Sequence, residues 1–299
     1  MKKNILLIQP PSIAGKIILD YLKYPPMGLL YLASALRENG YNPSVFDASV
    51  EKNSFSKLED LIKSGEFDIF GISFSSMTAE GAFKTAEIIK SINQKSIIIA
   101  GGYHPTVITK ETISNPNFDF VVYGEGEITL PELLKKLESG ETDFEKILGI
   151  AFKSEGKIKI NPPRPLIENL DSLPLPAYDL IKLNAYSSPS TTRKPYISYI
   201  RSRGCPFLCN FCGVQKMFTR RYRFESPEKT IKNIGALIKN FGVKEILFKD
   251  SEFVINKKSV IDLCDLLIQK KYNLVWGVNA RADMVDSGLL KKMKLAGCN

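Results

Sequence analysis

Short apolar runs alternate with longer amphipathic segments over the first 140 residues of the chain. The runs are rich in Ile, Val and Phe and predict buried strands, whereas the segments between them have the helical spacing of apolar residues. The predicted strands are Ile5–Gln9, Ser44–Asp47, Ile69–Phe74, Ser96–Ala100 and Phe118–Tyr123, and the predicted helices are Gly28–Glu38, Ser56–Lys63, Glu80–Ile92, Pro105–Ser114 and Leu130–Glu138. This alternation is typical of an α/β fold with a doubly wound parallel sheet of the Rossmann or flavodoxin-like type.

The pattern changes after residue 140. Two β-rich runs, Ile147–Lys153 and Lys157–Ile160, flank Glu155-Gly156 and predict a β-hairpin at the edge of the first domain. Between Asn161 and Pro195, seven prolines exclude long helices and central strands. We therefore predict a domain over residues 1–140, a hairpin and Pro-rich linker over 141–195, and a second domain over 196–299.

The second domain again alternates strand and helix patterns. The predicted strands are Tyr196–Ile200, Glu245–Lys249 and Leu274–Asn279, and the predicted helices are Pro227–Asn240, Lys258–Lys271 and Ser287–Ala296. This order is typical of a βα barrel, which places its chemistry at the carboxyl ends of the strands. Only three βα units precede Asn299, so we expect the third strand to lack a neighbour on its outer edge. We also expect the chain to be a piece of a longer domain that is unstable or associates by itself.

Composition excludes several classes of protein. Apolar residues make up 44% of the chain and charged residues 24%, as in ordinary globular domains. No apolar run approaches the length of a membrane span, and the first residues lead directly into a predicted strand instead of a signal peptide. The net charge is +9, but the lysines are scattered over the predicted helices, so nucleic acid is not an expected partner. The basic surface instead favours docking of an acidic electron donor. Five cysteines without a disulfide framework predict a reducing, cytoplasmic location.

Three cysteines stand close together in a loop marked by glycine and proline. Cys205, Cys209 and Cys212 have the spacing Cys-x3-Cys-x2-Cys. Closed structural metal sites usually have four protein ligands, so three indicate a metal position left open for substrate or cofactor. The alternative is a zinc knuckle or a redox-labile thiol cluster, with Cys264 or Cys298 as a further donor. Cys264, however, lies on the apolar face of a predicted helix, where it is expected to pack as a small hydrophobic residue.

Two loops of small residues follow predicted strands of the first domain. Ser73, Ser75 and Thr78 follow the third strand, and Gly101, Gly102, Tyr103 and His104 follow the fourth. Ligands of open parallel sheets bind outside the carboxyl ends of the strands, and glycine there permits close approach to the backbone. His104 is the only histidine, and we expect it to stabilise a loop by hydrogen bonding instead of ligating a metal. The alternative is a flavodoxin-like module that binds another nucleotide or only packs.

The cysteine spacing, together with the aromatic Phe211 before the last cysteine, resembles the radical S-adenosylmethionine (SAM) superfamily. The small-residue loops, with Tyr24–Gly28 and Tyr123–Glu127, resemble the cobalamin-binding domain that precedes many radical SAM domains. This implies a cobalamin-binding domain followed by a partial (βα)6 radical SAM barrel. The resemblance implies that the three cysteines bind a 4Fe-4S cluster and that SAM chelates its fourth iron. It also implies that Phe211, Asp250 and Arg281 contact SAM, Arg281 through the carboxylate, and that the two loops line the nucleotide tail of cobalamin.

The implied activity is reductive cleavage of SAM to a 5′-deoxyadenosyl radical, most simply for methylation of an unactivated carbon. The expected partners are a small-molecule or lipid-like substrate and a low-potential electron donor such as flavodoxin or ferredoxin. Many cobalamin-binding domains have Asp-x-His-x-x-Gly after the first strand, and the histidine of this motif ligates cobalt. This chain has Gln9–Gly15 there instead, so no histidine of that loop is expected on cobalt. The alternatives are a catalytically inactive cofactor-binding fragment, or rearrangement, cyclisation or tRNA modification. The tRNA-modifying methylthiotransferases need a second cysteine cluster, and residues 1–204 contain no cysteine.

Overall fold

The computed structural model describes residues 4–12 and 23–299, and these form two compact units. The first unit contains residues 4–12, 28–166 and 176–181. The second contains residues 23–27, 167–175 and 182–299. Within the described ranges, none of the helices combines the length and apolar character needed to span a bilayer.

The first unit is built on a seven-stranded sheet with the order β2-β1-β3-β4-β5-β6-β7. Its strands are β1 Ile5–Gln9, β2 Ser44–Asp47, β3 Ile69–Ser73, β4 Ile97–Gly101, β5 Phe120–Val122, β6 Ile150–Ser154 and β7 Lys157–Ile160. The first five are parallel, and the last two join antiparallel. The order 2-1-3-4-5 is that of the flavodoxin-like doubly wound sheet, which confirms the predicted fold class.

Helices cover both faces of this sheet. They are α1 Met27–Glu38, α2 Ser54–Lys63, α3 Ala79–Ile92, α4 Tyr103–Val107, α5 Thr109–Ser114 and α6 Gly126–Glu138. Alternate residues of β1 point to opposite faces: Leu6 and Ile8 pack with side chains of α2 and α3, and Ile5 and Leu7 pack with α1 and α6. Burial on both faces explains why the strands are nearly continuous apolar runs.

Two predicted helices differ from the observed ones by more than a shift of one or two residues at their ends. The segment predicted as one helix over 105–114 is two helices, because Ile108 leaves the helical region with φ −126° and ψ 55°. The helix α6 begins at Gly126, four residues before the predicted start, and contains Pro131.

The domain boundaries also differ from the predicted ones. The hairpin of β6 and β7 is part of the first unit, because β6 pairs with β5 through Phe120, Val121 and Val122. The Pro-rich linker is divided, since residues 176–181 belong to the first unit and the rest of 167–195 to the second. In the first unit Ala177 N donates to Leu30 O at 3.1 Å, and Arg37 makes a two-pronged ion pair with Asp179 at 2.8 and 2.7 Å.

The second unit contains three parallel βα units, as predicted. Its strands β8 Tyr196–Tyr199, β11 Glu245–Phe248 and β12 Val275–Gly277 have the order β12-β11-β8, and its helices are α8 Pro227–Phe241, α9 Lys257–Lys270 and α10 Ser287–Leu295. Each helix begins at a side-chain cap: Ser226, Asn256 and Asp286 accept from backbone N–H groups three residues on.

β12 is an edge strand among the described residues, as expected, but its outer edge makes one isolated bridge. Trp276 N donates to Gly297 O at 3.1 Å, and Asn299 N donates to Trp276 O at 2.9 Å. These two bonds form a parallel bridge between Trp276 and Cys298. Sequence patterning missed the bridge because one bridging residue has no periodicity.

Candidate functional site

The three cysteines lie in a loop that is closed at its base by two short strands. The strands β9 Ser202–Arg203 and β10 Arg223–Phe224 pair antiparallel, and residues 204–222 between them, which include the short helix α7 Val214–Phe218, are here called the cysteine loop. The loop follows the carboxyl end of β8, as predicted. The sequence did not predict β9 or β10, because strands of two residues have no detectable alternation.

All three cysteines are free thiols. Cys205 and Cys209 are half-buried and Cys212 is exposed, and Cys212 N donates to Cys209 O at 3.0 Å. Among the described residues, no three His, Cys, Asp or Glu side chains converge on one ion-sized position. A cluster does not need such convergence, because each cysteine binds a different iron. Three soft thiol donors on one loop fit the donor chemistry of an iron–sulfur cluster.

Gly204 permits the two arms of the cysteine loop to touch. Its φ is +86°, and a Cβ placed there would overlap the backbone oxygen of Arg221 and lie 2.8 Å from that carbonyl carbon. Because neither contact involves a flexible side chain, the backbone would have to move to admit any other residue. Glycine is therefore required immediately before Cys205 by both conformation and space.

Asp250 lies two residues after β11 and binds the residues that precede the cysteine loop. Its side chain is 1% exposed and accepts from Ser202 Oγ and, at 3.4 Å, from Arg201 N. Burial raises the pKa of Asp250 to about 6, against the opposing effects of the Ser202 hydrogen bond and the Arg201 charge. Its observed partners are thus protein groups, and the implied contact of Asp250 with SAM stays a prediction.

Arg201 ties the same region to α9. Its guanidinium is 1% exposed, donates from Nη2 to Ser259 Oγ at 2.6 Å and to Glu225 O at 3.2 Å, and lies 5.3 Å from the centre of the Phe253 ring. In the described part of the chain its Nε and Nη1 have no hydrogen-bond partner. The buried guanidinium of Arg201, held through Nη2, thus lies at the base of the cysteine loop.

A buried carboxyl that the sequence did not single out lies at the other end of the loop. Glu225 N donates to Arg201 O at 2.7 Å, which closes the loop base. The Glu225 carboxyl accepts from Tyr199 Oη at 2.8 Å, Thr230 Oγ1 at 2.8 Å and Asn233 Nδ2 at 2.9 Å. Burial raises its pKa to about 7, although the hydrogen bonds from Thr230 and Tyr199 act in the opposite direction. Glu225 escaped notice because its partners are up to 26 residues away.

The raised pKa of Glu225 predicts a pH dependence of stability. Because the folded-state pKa of about 7 exceeds the ordinary value of 4.5, the contribution is complete below 4.5 and is lost as the pH rises through 7. We expect the free energy of unfolding of the wild-type chain to fall by about 2 to 3 kcal/mol between about pH 4.5 and pH 8 because of Glu225. E225Q should lack this decrease. Urea unfolding at each pH measures both. E228Q, at an exposed position of α8, is the matched control. A wild-type pH slope unchanged in E225Q would contradict the prediction.

Phe211 and Arg281 are placed differently from one another. The side chain of Phe211 is 93% exposed, so its ring is available to a ligand, and its implied contact with the adenine of SAM stays a prediction. Arg281 instead contacts the cysteine loop, since Nη1 donates to Cys209 Sγ at 3.5 Å and the guanidinium carbon lies 4.1 Å from the centre of the Phe207 ring. Its predicted pairing with the SAM carboxylate is not tested by these contacts.

Cys264 is fully buried in α9, as expected of a small hydrophobic residue, and burial raises the pKa of its thiol to about 12.

In the first unit the structure brings the loops after β3 and β4 together. Phe74 N donates to Gly101 O at 3.0 Å, and His104 N donates to Phe74 O at 3.1 Å. Ser75 N donates to Thr78 Oγ1 at 3.2 Å within the first loop. All seven predicted residues of these loops, Ser73, Ser75, Thr78, Gly101, Gly102, Tyr103 and His104, therefore lie at one edge of the sheet. Met77 is 60% exposed and Tyr103 39% exposed beside these polar groups.

Gly102 is required for contact between these two loops. Its φ is +95°, and a Cβ there would lie 2.8 Å from Ser73 Oγ and 3.0 Å from Phe74 N. We predicted this glycine for close approach of a cofactor; the structure shows that close approach of the neighbouring loop already requires it. Gly124 by contrast has φ +77°, and nothing lies within 4 Å of the place that a Cβ would take, so its Cα faces open space at the same edge.

His104 stabilises the paired loops. Its Nδ1 and Ser76 Oγ are 3.0 Å apart, and its ring lies 5.4 Å from that of Phe74. Burial lowers the pKa of the imidazole, which favours the neutral ring at neutral pH. A hydrogen-bonding role was the preferred interpretation of the sequence, and these contacts agree with it.

The described contacts of Tyr24 lie within the second unit. Tyr24, grouped with the cobalamin loops from sequence, belongs to the second unit, where Lys249 Nζ lies 3.7 Å from the centre of its ring and its hydroxyl is 3.2 Å from Ser188 Oγ. Lys23 pairs with Ser187, and Tyr196 Oη donates to Lys23 O at 2.5 Å. Of the loop after β1, residues 13–15 lie outside the described residues.

Comparisons with known proteins give a family match within the first part of the chain and relatives along nearly all of it. The family model of the B12 binding domain matches residues 18–134. An uncharacterized methyltransferase of Pyrococcus horikoshii is 36% identical over 99% of this chain and 64% of its own length. Anaerobic magnesium-protoporphyrin IX monomethyl ester cyclase of Rubrivivax gelatinosus is 30% identical over 92% of this chain and 50% of its own length.

A solved structure shows the same fold. The radical SAM methyltransferase TsrM of Kitasatospora setae, with cobalamin and a [4Fe-4S] cluster bound, superposes with a TM-score of 0.78 at 16% identity, over all of this chain and 58% of that one. The chain thus contains a match to the B12 binding domain over residues 18–134 and shares the fold of this radical SAM methyltransferase. It spans 64% and 50% of the lengths of the two curated relatives.

Proposed function

We propose that the chain is the cofactor-binding portion of a cobalamin-dependent radical SAM enzyme that methylates an unactivated carbon. The observation that carries this proposal is the cysteine loop at the carboxyl end of β8. Three free thiols lie there in the same chain as a B12-binding domain. The name of the Pyrococcus relative favours methyl transfer as the outcome.

Each part of the proposed site has a role that its chemistry permits. Cys205, Cys209 and Cys212 would hold a 4Fe-4S cluster, and the exposed ring of Phe211 would cover the adenine of SAM. Asp250, Arg201 and Glu225 hold the base of the cysteine loop and so orient the thiols. When bound, the cluster supplies the electron that cleaves SAM to a 5′-deoxyadenosyl radical, and cobalamin carries the methyl group.

Cobalamin would lie at the edge of the first sheet where the loops after β3 and β4 meet. The hydroxyls of Ser73, Ser75 and Thr78 and the backbone of Gly101 and Gly102 line that edge, with Tyr103 exposed beside them. The open space at Gly124 supports room for a ligand there. A parallel sheet of this order binds ligands at its carboxyl edge.

Anaerobic reconstitution with iron, sulfide and hydroxocobalamin, followed by SAM and dithionite, tests the proposal. We expect the wild-type chain to release 5′-deoxyadenosine, measured by mass spectrometry, and C205A to release none. A chain that holds iron and cobalamin but releases no 5′-deoxyadenosine would favour the alternative of an inactive cofactor-binding fragment.

The engagement of His104 predicts cobalamin binding without histidine on cobalt. Nδ1 is held by Ser76 and the ring packs on Phe74, so turning it toward a ligand would break both contacts. In the electron paramagnetic resonance spectrum of the cob(II)alamin form, we expect no nitrogen splitting that depends on His104. H104A is compared with wild type, and S76A serves as the control that loosens the ring but keeps it. Splitting that disappears in H104A alone would contradict this prediction.

The expected partners follow from the same chemistry. A low-potential donor such as flavodoxin or ferredoxin would supply electrons, and the substrate would be a small or lipid-like molecule. A cytoplasmic location suits an oxygen-sensitive cluster and free thiols. The identity to the ester cyclase favours ring closure as the second candidate outcome, and analysis of the product separates it from methylation.

A further inference from the structure

Arg281, in the loop after β12, contacts the cysteine loop at two points. Its Nη1 donates to Cys209 Sγ at 3.5 Å, across 72 positions of sequence. Its guanidinium carbon lies 4.1 Å from the centre of the Phe207 ring, within the range of a cation–π contact. A cation is therefore hydrogen-bonded to one of the three thiols.

The position of this guanidinium is fixed from its other side. Asp283 accepts from Nε at 3.0 Å and from Nη2 at 2.7 Å, so the planar group has its remaining edge turned toward Cys209. The backbone is held as well, since Arg281 N donates at 2.6 Å to the carboxyl of Glu252, which is 2% exposed and also accepts from Val254 N. Two carboxylates thus preorganise the donor toward the sulfur.

We propose that Arg281 is a positioning residue that holds Cys209 through its sulfur and raises the reduction potential of the cluster. The inference rests on the proposed cluster. Reduction adds an electron whose charge spreads onto the ligand sulfurs, so a cationic donor at a sulfur stabilises the reduced form more than the oxidised form. Hydrogen bonds to the sulfurs and local charge are recognised determinants of cluster potential. This role needs no SAM, unlike pairing with its carboxylate.

A redox titration of the reconstituted chain without SAM, followed by electron paramagnetic resonance, tests the proposal. We expect R281Q to make reduction about tenfold less favourable, which is a midpoint lower by about 59 mV for one electron. R281K keeps the charge but cannot reproduce the planar fork, so its midpoint should fall by less. R220Q is the matched control, because Arg220 lies in the cysteine loop itself but donates to the backbone oxygen of Pro206.

The outcomes separate the proposal from its alternatives. An R281Q midpoint no lower than that of R220Q overturns it, as does weaker SAM binding in R281Q with an unchanged midpoint. If R281Q does not assemble a cluster, R281K compared with R220K decides, and equal midpoints overturn the proposal. A wild-type chain that binds no iron contradicts the proposed function itself, whereas a normal wild-type cluster with insensitive R281 variants contradicts only this inference.

Discussion

Single replacement of Cys205, Cys209 or Cys212 by Ala is expected to abolish the iron–sulfur cluster. The three thiols lie in one loop that β9 and β10 close, and each would bind a different iron, so removal of any one leaves an iron without a protein ligand. After anaerobic reconstitution, the wild-type chain should contain about four irons and show broad visible absorbance. Each loop variant should fall to near zero in both measurements.

C264A and C298A are the matched controls for this prediction. Cys264 is fully buried in α9 and Cys298 bridges to Trp276, so neither is in the cysteine loop, and both variants should retain the absorbance. Loss of absorbance in C264A would identify a fourth protein ligand and contradict the open iron position. One equivalent of zinc retained after anaerobic purification would favour the zinc-knuckle alternative.

G204A is expected to destabilise the second unit by about 3 kcal/mol or more. Positive φ alone costs a residue with a side chain about 1 to 2 kcal/mol, and overlap with a backbone that cannot give way adds a similar amount. The added methyl group would overlap the Arg221 carbonyl and force apart the two arms of the cysteine loop. Urea unfolding followed by Trp fluorescence measures the effect in the right unit, since the only tryptophan, Trp276, is buried there.

G242A separates these two costs. Gly242 ends α8 with φ +63°, and nothing lies within 4 Å of a Cβ placed there. We expect G242A to lose only about 1 kcal/mol, the conformational part of the cost. G204A should also lose its iron, whereas G242A should keep it. If the two variants are equally stable, the overlap at Gly204 does not constrain the loop.

Much of the fold could be predicted from local patterns. The five parallel strands of the first unit and the three of the second were predicted within a few residues, because each is a short apolar run bounded by turn-forming residues. The cysteine spacing likewise singled out the cysteine loop as the candidate metal-binding segment. Its base could not be predicted, because β9 and β10 have two residues each and pair across 19 intervening positions, residues 204–222.

The sequence by itself determined the class of fold and singled out two candidate cofactor-binding regions, since periodicity and motif spacing are local properties of the chain. Only the tertiary structure decided which residues surround them. It brought Lys249 Nζ against the ring of Tyr24 and Arg281 within hydrogen-bonding distance of Cys209. It also buried the Glu225 carboxyl, which accepts hydrogen bonds from Tyr199, Thr230 and Asn233. It also showed that Gly102 is needed by a neighbouring loop. These contacts join residues far apart in sequence, and their energies depend on burial and distance, which no local pattern encodes.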